Sequence, residues 1–149
     1  MNSKIMDFSR AALAALFAIA ISGCIGNTSG ELTLPTEVAK QSTYFVERHA
    51  KDDRNLAATI AERMQARGLQ AKAGTAAERK PEYKYVVNYT DRWMWDMRMY
   101  LYDLRIEVRD AADQSVVGFG QSTQSSLKAM GKTHADVVDI ALNELFGPR

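Results

Sequence analysis

The chain has 149 residues, of which 46% are hydrophobic and 25% charged, with 19 basic side chains against 18 acidic. That length and apolar share suffice for one ordinary core, and a charge balance near zero gives no electrostatic argument for nucleic acid or for anionic lipid. One cysteine, Cys24, excludes an intrachain disulfide framework.

The amino-terminal stretch has the three parts of an export signal. Met1 to Arg10 carries Lys4 and Arg10, offset by Asp7, and Ala11 to Ile21 is apolar without a charge. Ser22 and Gly23 then supply small residues before Cys24. A transmembrane helix needs about 20 apolar residues, more than this run offers. Ile21-Ser22-Gly23-Cys24 resembles the lipobox of bacterial lipoproteins, which reads aliphatic, small, Gly or Ala, then Cys. The resemblance covers residues 1–24 and implies signal removal, a thioether-linked diacylglycerol on Cys24, and a further acyl chain such as palmitate on the new amino terminus. One acyl chain binds a membrane only marginally, at roughly 0.8 kcal/mol per buried methylene, whereas two or more hold stably. In that family, Asp after the cysteine retains the protein at the inner membrane. Ile25 and Gly26 stand there instead, so the resemblance implies the periplasmic face of the outer membrane.

Residues 24–41 read as a lipidated tether, punctuated by Gly26, Asn27, Ser29, Gly30 and Pro35. Its span as a coil is on the order of 20–25 Å. Leu32 and Leu34 alternate in the manner of a short edge strand. Residues 42–149 read as a single α/β domain.

Within that domain, Ser42 to His49 is rich in strand formers. Asp53 is placed to cap a helix over Arg54 to Arg67, with Leu56, Ile60 and Met64 on one face and Gly68 as its left-handed stop. Leu69 to Ala73 makes a short strand and 74–81 a polar loop. Tyr83, Tyr85, Val87 and Tyr89 then alternate with period two, as do Tyr100, Tyr102, Leu104, Ile106 and Val108 against Asp103, Arg105, Glu107 and Arg109. Ser115 to Gln121 is a further strand, where Gly118 and Gly120 indicate a bulge or a close backbone approach. Thr133 caps a last helix with Val138, Ala141, Leu142 and Leu145 inward, ended by Gly147-Pro148. The expected fold is α+β, in the order β-α-β-β-β-β-α, a mixed and mostly antiparallel sheet with two helices packed on one face. Over roughly 42–146 this order is similar to small periplasmic lipoprotein domains, such as those that activate penicillin-binding proteins and the amino-terminal domain of the Tol–Pal β-propeller protein. The likeness is of architecture and carries no motif residues.

Residues 92–102 hold two Trp, three Met and two Tyr between the two longest strands. Trp, Tyr, Met and Arg are enriched where proteins dock, so Trp93, Trp95 and Arg98 are candidate partner-binding residues. The alternative is that these rings pack on the helices or on each other. Catalytic signals are absent from the pattern. His49 and His134 have no metal-ligand spacing, and His49 with Asp52 and Asp53 is explained by a strand end and a helix cap. Gly131-Lys132-Thr133 matches only the tail of a phosphate-binding loop and is better read as a capped helix start. No catalytic residue, metal or cofactor is expected. The expected function is a non-enzymatic interaction module in the bacterial cell envelope, anchored to the membrane through Cys24 and acting on an envelope protein. The alternative is a lipoprotein that binds a small hydrophobic or lipid ligand between sheet and helices.

Overall fold

A computed structural model of the chain describes residues 27–149, so the export signal, the lipobox and Cys24 lie outside the described residues. Six strands form one sheet: β1 (Thr28–Leu32), β2 (Thr43–Glu47), β3 (Gln70–Gly74), β4 (Tyr85–Asp96), β5 (Arg98–Asp110) and β6 (Val116–Thr123). Their spatial order is β1-β6-β5-β4-β2-β3. β2 runs parallel to β3 and β4, while the other pairings are antiparallel. Four helices join them: α1 (Thr36–Gln41), α2 (Leu56–Gln65), the short α3 (Ser126–Ala129) and α4 (His134–Phe146). The sheet is mixed and the domain α+β.

The tether is shorter than its composition suggests. Residues 28–32 pair one by one with Ser122 to Gly118 of β6, and Pro35 leads into α1, whose Ala39 is buried. Gly30 and Gly120 face each other across this pair, and α4 lies directly over both. A Cβ on Gly30 would stand 2.7 Å from Glu144 Cβ; one on Gly120 would stand 2.9 Å from Leu145 Cβ and 3.1 Å from the Ala141 carbonyl carbon. Gly118 lies similarly close to Leu32 and Leu145. These glycines are a floor for a helix: the close backbone approach expected at Gly118 and Gly120 is present, and Gly30, which reads as flexible punctuation, shares in the seat.

α2 buries Leu56, Ala57, Ile60, Ala61 and Met64, the face its periodicity marks, and Gly68 takes φ +81° after it. Its start differs from the expected one. Asn55 is the left-handed residue before the helix, and the cap is Asp52, not Asp53: the Asp52 carboxylate accepts from the Leu56 and Ala57 backbone N–H at 2.7 and 2.9 Å. Burial pushes the Asp52 carboxyl up, but the two N–H donors outweigh it and leave the group below the usual carboxylate range.

α2 contacts β2 and β3, α4 contacts β1, β5 and β6, and the two helices touch. Tyr44, Ile60, Met64, Ile106, Val138 and Leu142 are fully buried in the core they enclose. Arg67 joins the helix ends: its guanidinium donates to Asn143 Oδ1 (2.7 Å) and to the Gly147 and Asp139 carbonyls. Burial acts to raise the Asp139 carboxyl, yet the Arg63 hydrogen bond, with the charges of Arg63, Arg149 and Arg67, keeps it low. On the opposite sheet face, Glu107 accepts from Arg105 and Arg109, and Arg105 lies 4.0 Å over the Phe119 ring.

One strand face is corrected. β4 and β5 slip register between Arg92 and Trp93, so Trp93 opposes Leu101 and Tyr102 is left over. Beyond the bulge the inward phase passes to Leu101, which joins the core cluster, while Tyr100 and Tyr102 leave the face of Leu104, Ile106 and Val108. A simple alternation cannot register an inserted residue.

Gly120→Ala is expected to cost about 3 kcal/mol, because the methyl meets helix backbone that cannot rotate away. Gly68→Ala, in open space at φ +81°, is expected to cost about 1 kcal/mol. Urea denaturation compares the two, and equal losses would remove the helix seat from the account.

Candidate functional site

β4 and β5 outrun their neighbours. β6 ends at Thr123 opposite Asp103, and β2 pairs only with Tyr85 to Val87. Residues 92–102 therefore form a two-stranded ribbon that projects past the sheet. Its turn is Met97 alone, between the paired Asp96 and Arg98. Met97 has φ 59°, a left-handed conformation that costs a non-glycine residue about 1 kcal/mol, and its side chain is 94% exposed.

The ribbon concentrates the exposed apolar surface. Among the described residues eight large hydrophobic side chains are exposed, and six belong to this end of the molecule: Met94, Trp95, Met97 and Met99 on the ribbon, Leu127 and Met130 on and after α3. Isolated exposed apolar residues are ordinary; six gathered at one end are not.

The three candidate partner-binding residues have different roles here. Trp93 packs inward at the base of the ribbon: its Nε1 donates to Asp91 Oδ2 at 2.7 Å, the Arg54 guanidinium lies 4.4 Å over its ring, and the His134 ring is 6.2 Å away. Trp95 is 70% exposed near the tip. Arg98 donates to the Ala129 carbonyl, which ties the ribbon to α3. The packing alternative thus describes Trp93, whereas Trp95 is exposed. Leu127 and Met130 escaped sequence reasoning, and the only available signal was their three-residue spacing in a short polar stretch.

The remaining candidates resolve into structural roles. His49 meets Asp91, with Nε2 and Oδ1 3.1 Å apart, its ring lies 4.6 Å from that of Tyr89, and its carbonyl accepts from the Asp52 backbone N–H at 3.1 Å. Thr133 forms a reciprocal capping box with Asp136, and Lys132 Nζ donates to the Lys128 carbonyl. No group of three or more His, Cys, Asp or Glu is placed to hold a metal among the described residues. A cleft lined by Leu32, Ala39, Leu69 and Phe146 opens beside α1.

What the geometry defines is a small α+β domain: a mixed six-strand sheet, a helix seated on glycines, and a projecting apolar ribbon. The fold is similar to that of the PelC dodecamer from Paraburkholderia phytofirmans. One structure of it matches with TM-score 0.60 at 14% identity, over 83% of this chain and 97% of that one. Another matches with TM-score 0.59 at 14% identity, over 84% and 99%. No protein-family model matches the chain, and no curated protein does.

Trp93→Ser is expected to destabilise the domain by about 3 kcal/mol, since it removes a packed ring together with its Asp91 and Arg54 contacts. Trp95→Ser is expected to stay within about 0.5 kcal/mol of the parent. Urea denaturation of both variants checks this, and a similar loss in each would contradict the division between base and tip.

Proposed function

We propose that the protein is a bacterial envelope lipoprotein, anchored through Cys24 at the periplasmic face of the outer membrane and acting as a non-enzymatic interaction module. The observation that carries the proposal is that a lipobox stands only a few residues before a folded domain whose exposed apolar side chains gather at one end. In this proposal α2 and α4 cover one face of the sheet, and the polar opposite face and the ribbon are left for contact. The fold's likeness to a PelC dodecamer makes a second copy of the chain the first protein partner to test. A second reading, a small hydrophobic or lipid ligand, is favoured by the cleft beside α1, where Leu32, Ala39, Leu69 and Phe146 stand with Lys40, Arg67 and Arg149. A stoichiometric lipid in the extract of purified protein would support it.

The test is mass spectrometry of the full chain expressed in a bacterium with an outer membrane, followed by native mass measurement in detergent. The expected product begins at an acylated Cys24, fractionates with the outer membrane and carries several copies per particle, whereas Cys24→Ala accumulates as the uncut precursor. Processing and acylation that persist in Cys24→Ala would overturn the anchor, and a strictly monomeric particle would overturn self-assembly.

A further inference from the structure

The end of the sheet that receives the amino-terminal segment is the end that carries the ribbon. Asn27 accepts a hydrogen bond from the Thr123 backbone N–H at 2.8 Å, and Thr123 lies opposite Asp103 of β5. From Asp103 the ribbon continues to Arg98, about 15 Å at about 3.3 Å per strand residue. Cys24 stands three residues before Asn27 and lies at most about 10 Å from it, however that segment is arranged. The ribbon thus projects farther from the sheet end than the anchor segment can extend. A domain hung from lipid at Cys24 has no room to hold that end clear of the bilayer. It must press the tip into the surface or tip over onto it.

The chemistry of the tip suits a lipid surface. Trp95, Met97, Leu127 and Met130 are exposed apolar groups, and tryptophan is the side chain most at home at the level of lipid headgroups. Arg92, Arg98, Lys128 and Lys132 lie in the same two segments, Arg92 at the ribbon's base opposite Asp103, with Asp96 the one carboxylate in residues 92–102 and 125–133. None of the four cations is ion-paired with a carboxylate among the described residues. The positive excess is confined to the tip and α3, since Asp91 and Asp103 stand at the ribbon's base and Asp136 in the first turn of α4; its sign is the one that anionic headgroups attract. The left-handed Met97 fits the same use: glycine or asparagine would make this turn with less strain but would put no apolar group at the extremity.

We infer that the β4–β5 tip, with α3 beside it, is a second membrane contact: Trp95 and Met97 enter the headgroup layer of an anionic bilayer and hold the domain tip-down beside its lipid anchor. The inference rests on the anchor reading of Cys24 and deepens it, since it turns a tether into a fixed orientation.

The test uses the full lipidated chain in vesicles of phosphatidylethanolamine and phosphatidylglycerol whose acyl chains are brominated near the headgroup. Bromine quenches tryptophan emission only at short range. Strong quenching is expected in the parent, most of it lost in Trp95→Phe, which leaves Trp93 as the sole tryptophan. As a second probe, Met97→Cys carries the only free thiol once Cys24 is acylated; an environment-sensitive dye there is expected to brighten on vesicles, while the same dye at Gln114→Cys, in the turn at the far end of the sheet, stays unchanged. Acylated Cys24 with unquenched Trp95 and an unchanged dye at 97 would overturn the tip contact and leave the anchor standing. Trp95 shielded from aqueous iodide but not quenched by bromine would place a protein, such as a second copy of the chain, on the tip and likewise overturn it. An unacylated Cys24 would remove the anchor and the inference together, and the mass spectrum identifies that case.

Discussion

The seat of α4 on β1 and β6 is the constraint on which the rest of the structure depends. Helix backbone reaches the Gly30–Gly120 pair because neither residue has a side chain, and Leu145 fills the space beside Gly118. This close packing holds an edge strand that has little else to offer: all but one of its five residues are exposed. Its own hydrogen bonds to β6 would be marginal without a helix laid across them. With α4 in place, β1 becomes part of the domain and α1 follows it onto the core edge. The Arg67 bonds to Asn143 and Gly147 then fix the far end of the same helix against α2.

Fixing β1 also sets where the chain leaves the domain. An edge strand that begins beside Thr123 places Asn27 at the ribbon end of the sheet, not at the end of the Asp110–Ser115 turn. The ribbon is in turn held by its base. Trp93, bonded to Asp91 and covered by Arg54, keeps the projecting strands from hinging at the bulge, and Arg98 holds them to α3. Trp95, two residues farther along the same strand face, is left exposed. Helix seat and ribbon thus form one mechanical chain, to which the proposed anchor would be joined through β1.

Much of this fold is legible in the residues. The faces of α2 and α4, the left-handed Gly68, the Thr133 cap and the period-two strands follow from spacing and turn chemistry alone. Three features do not. Gly30 looks like loop punctuation because a missing side chain is equally consistent with flexibility and with crowding, and only the position of α4 decides between them. Tyr100 and Tyr102 look continuous with Leu104 because the inserted residue at the bulge leaves no compositional mark. Asp52 rather than Asp53 caps α2 because Asn55 adopts φ 58°, which turns the chain back toward Asp52. At the candidate site the segment 92–102 stands out in sequence, yet Trp93 and Trp95 share a strand face, and the division between them depends on how far along the ribbon Arg54 and His134 reach. The contribution of Leu127 and Met130 depends on β6 ending at Thr123.

The central claim is that the chain is folded from Thr28 onward, so that an anchor at Cys24, as proposed, would join the domain at the ribbon end of the sheet. Amide hydrogen exchange on the full chain measures this directly. The account predicts that the β1 amides paired with β6 exchange orders of magnitude more slowly than free peptide, and that Gly120→Ala releases them while the amides of β5 stay protected. Exchange of residues 28–32 at the rate of an unstructured chain in the parent protein would contradict it, because the anchor would then hang on a long tether with no fixed relation to the tip.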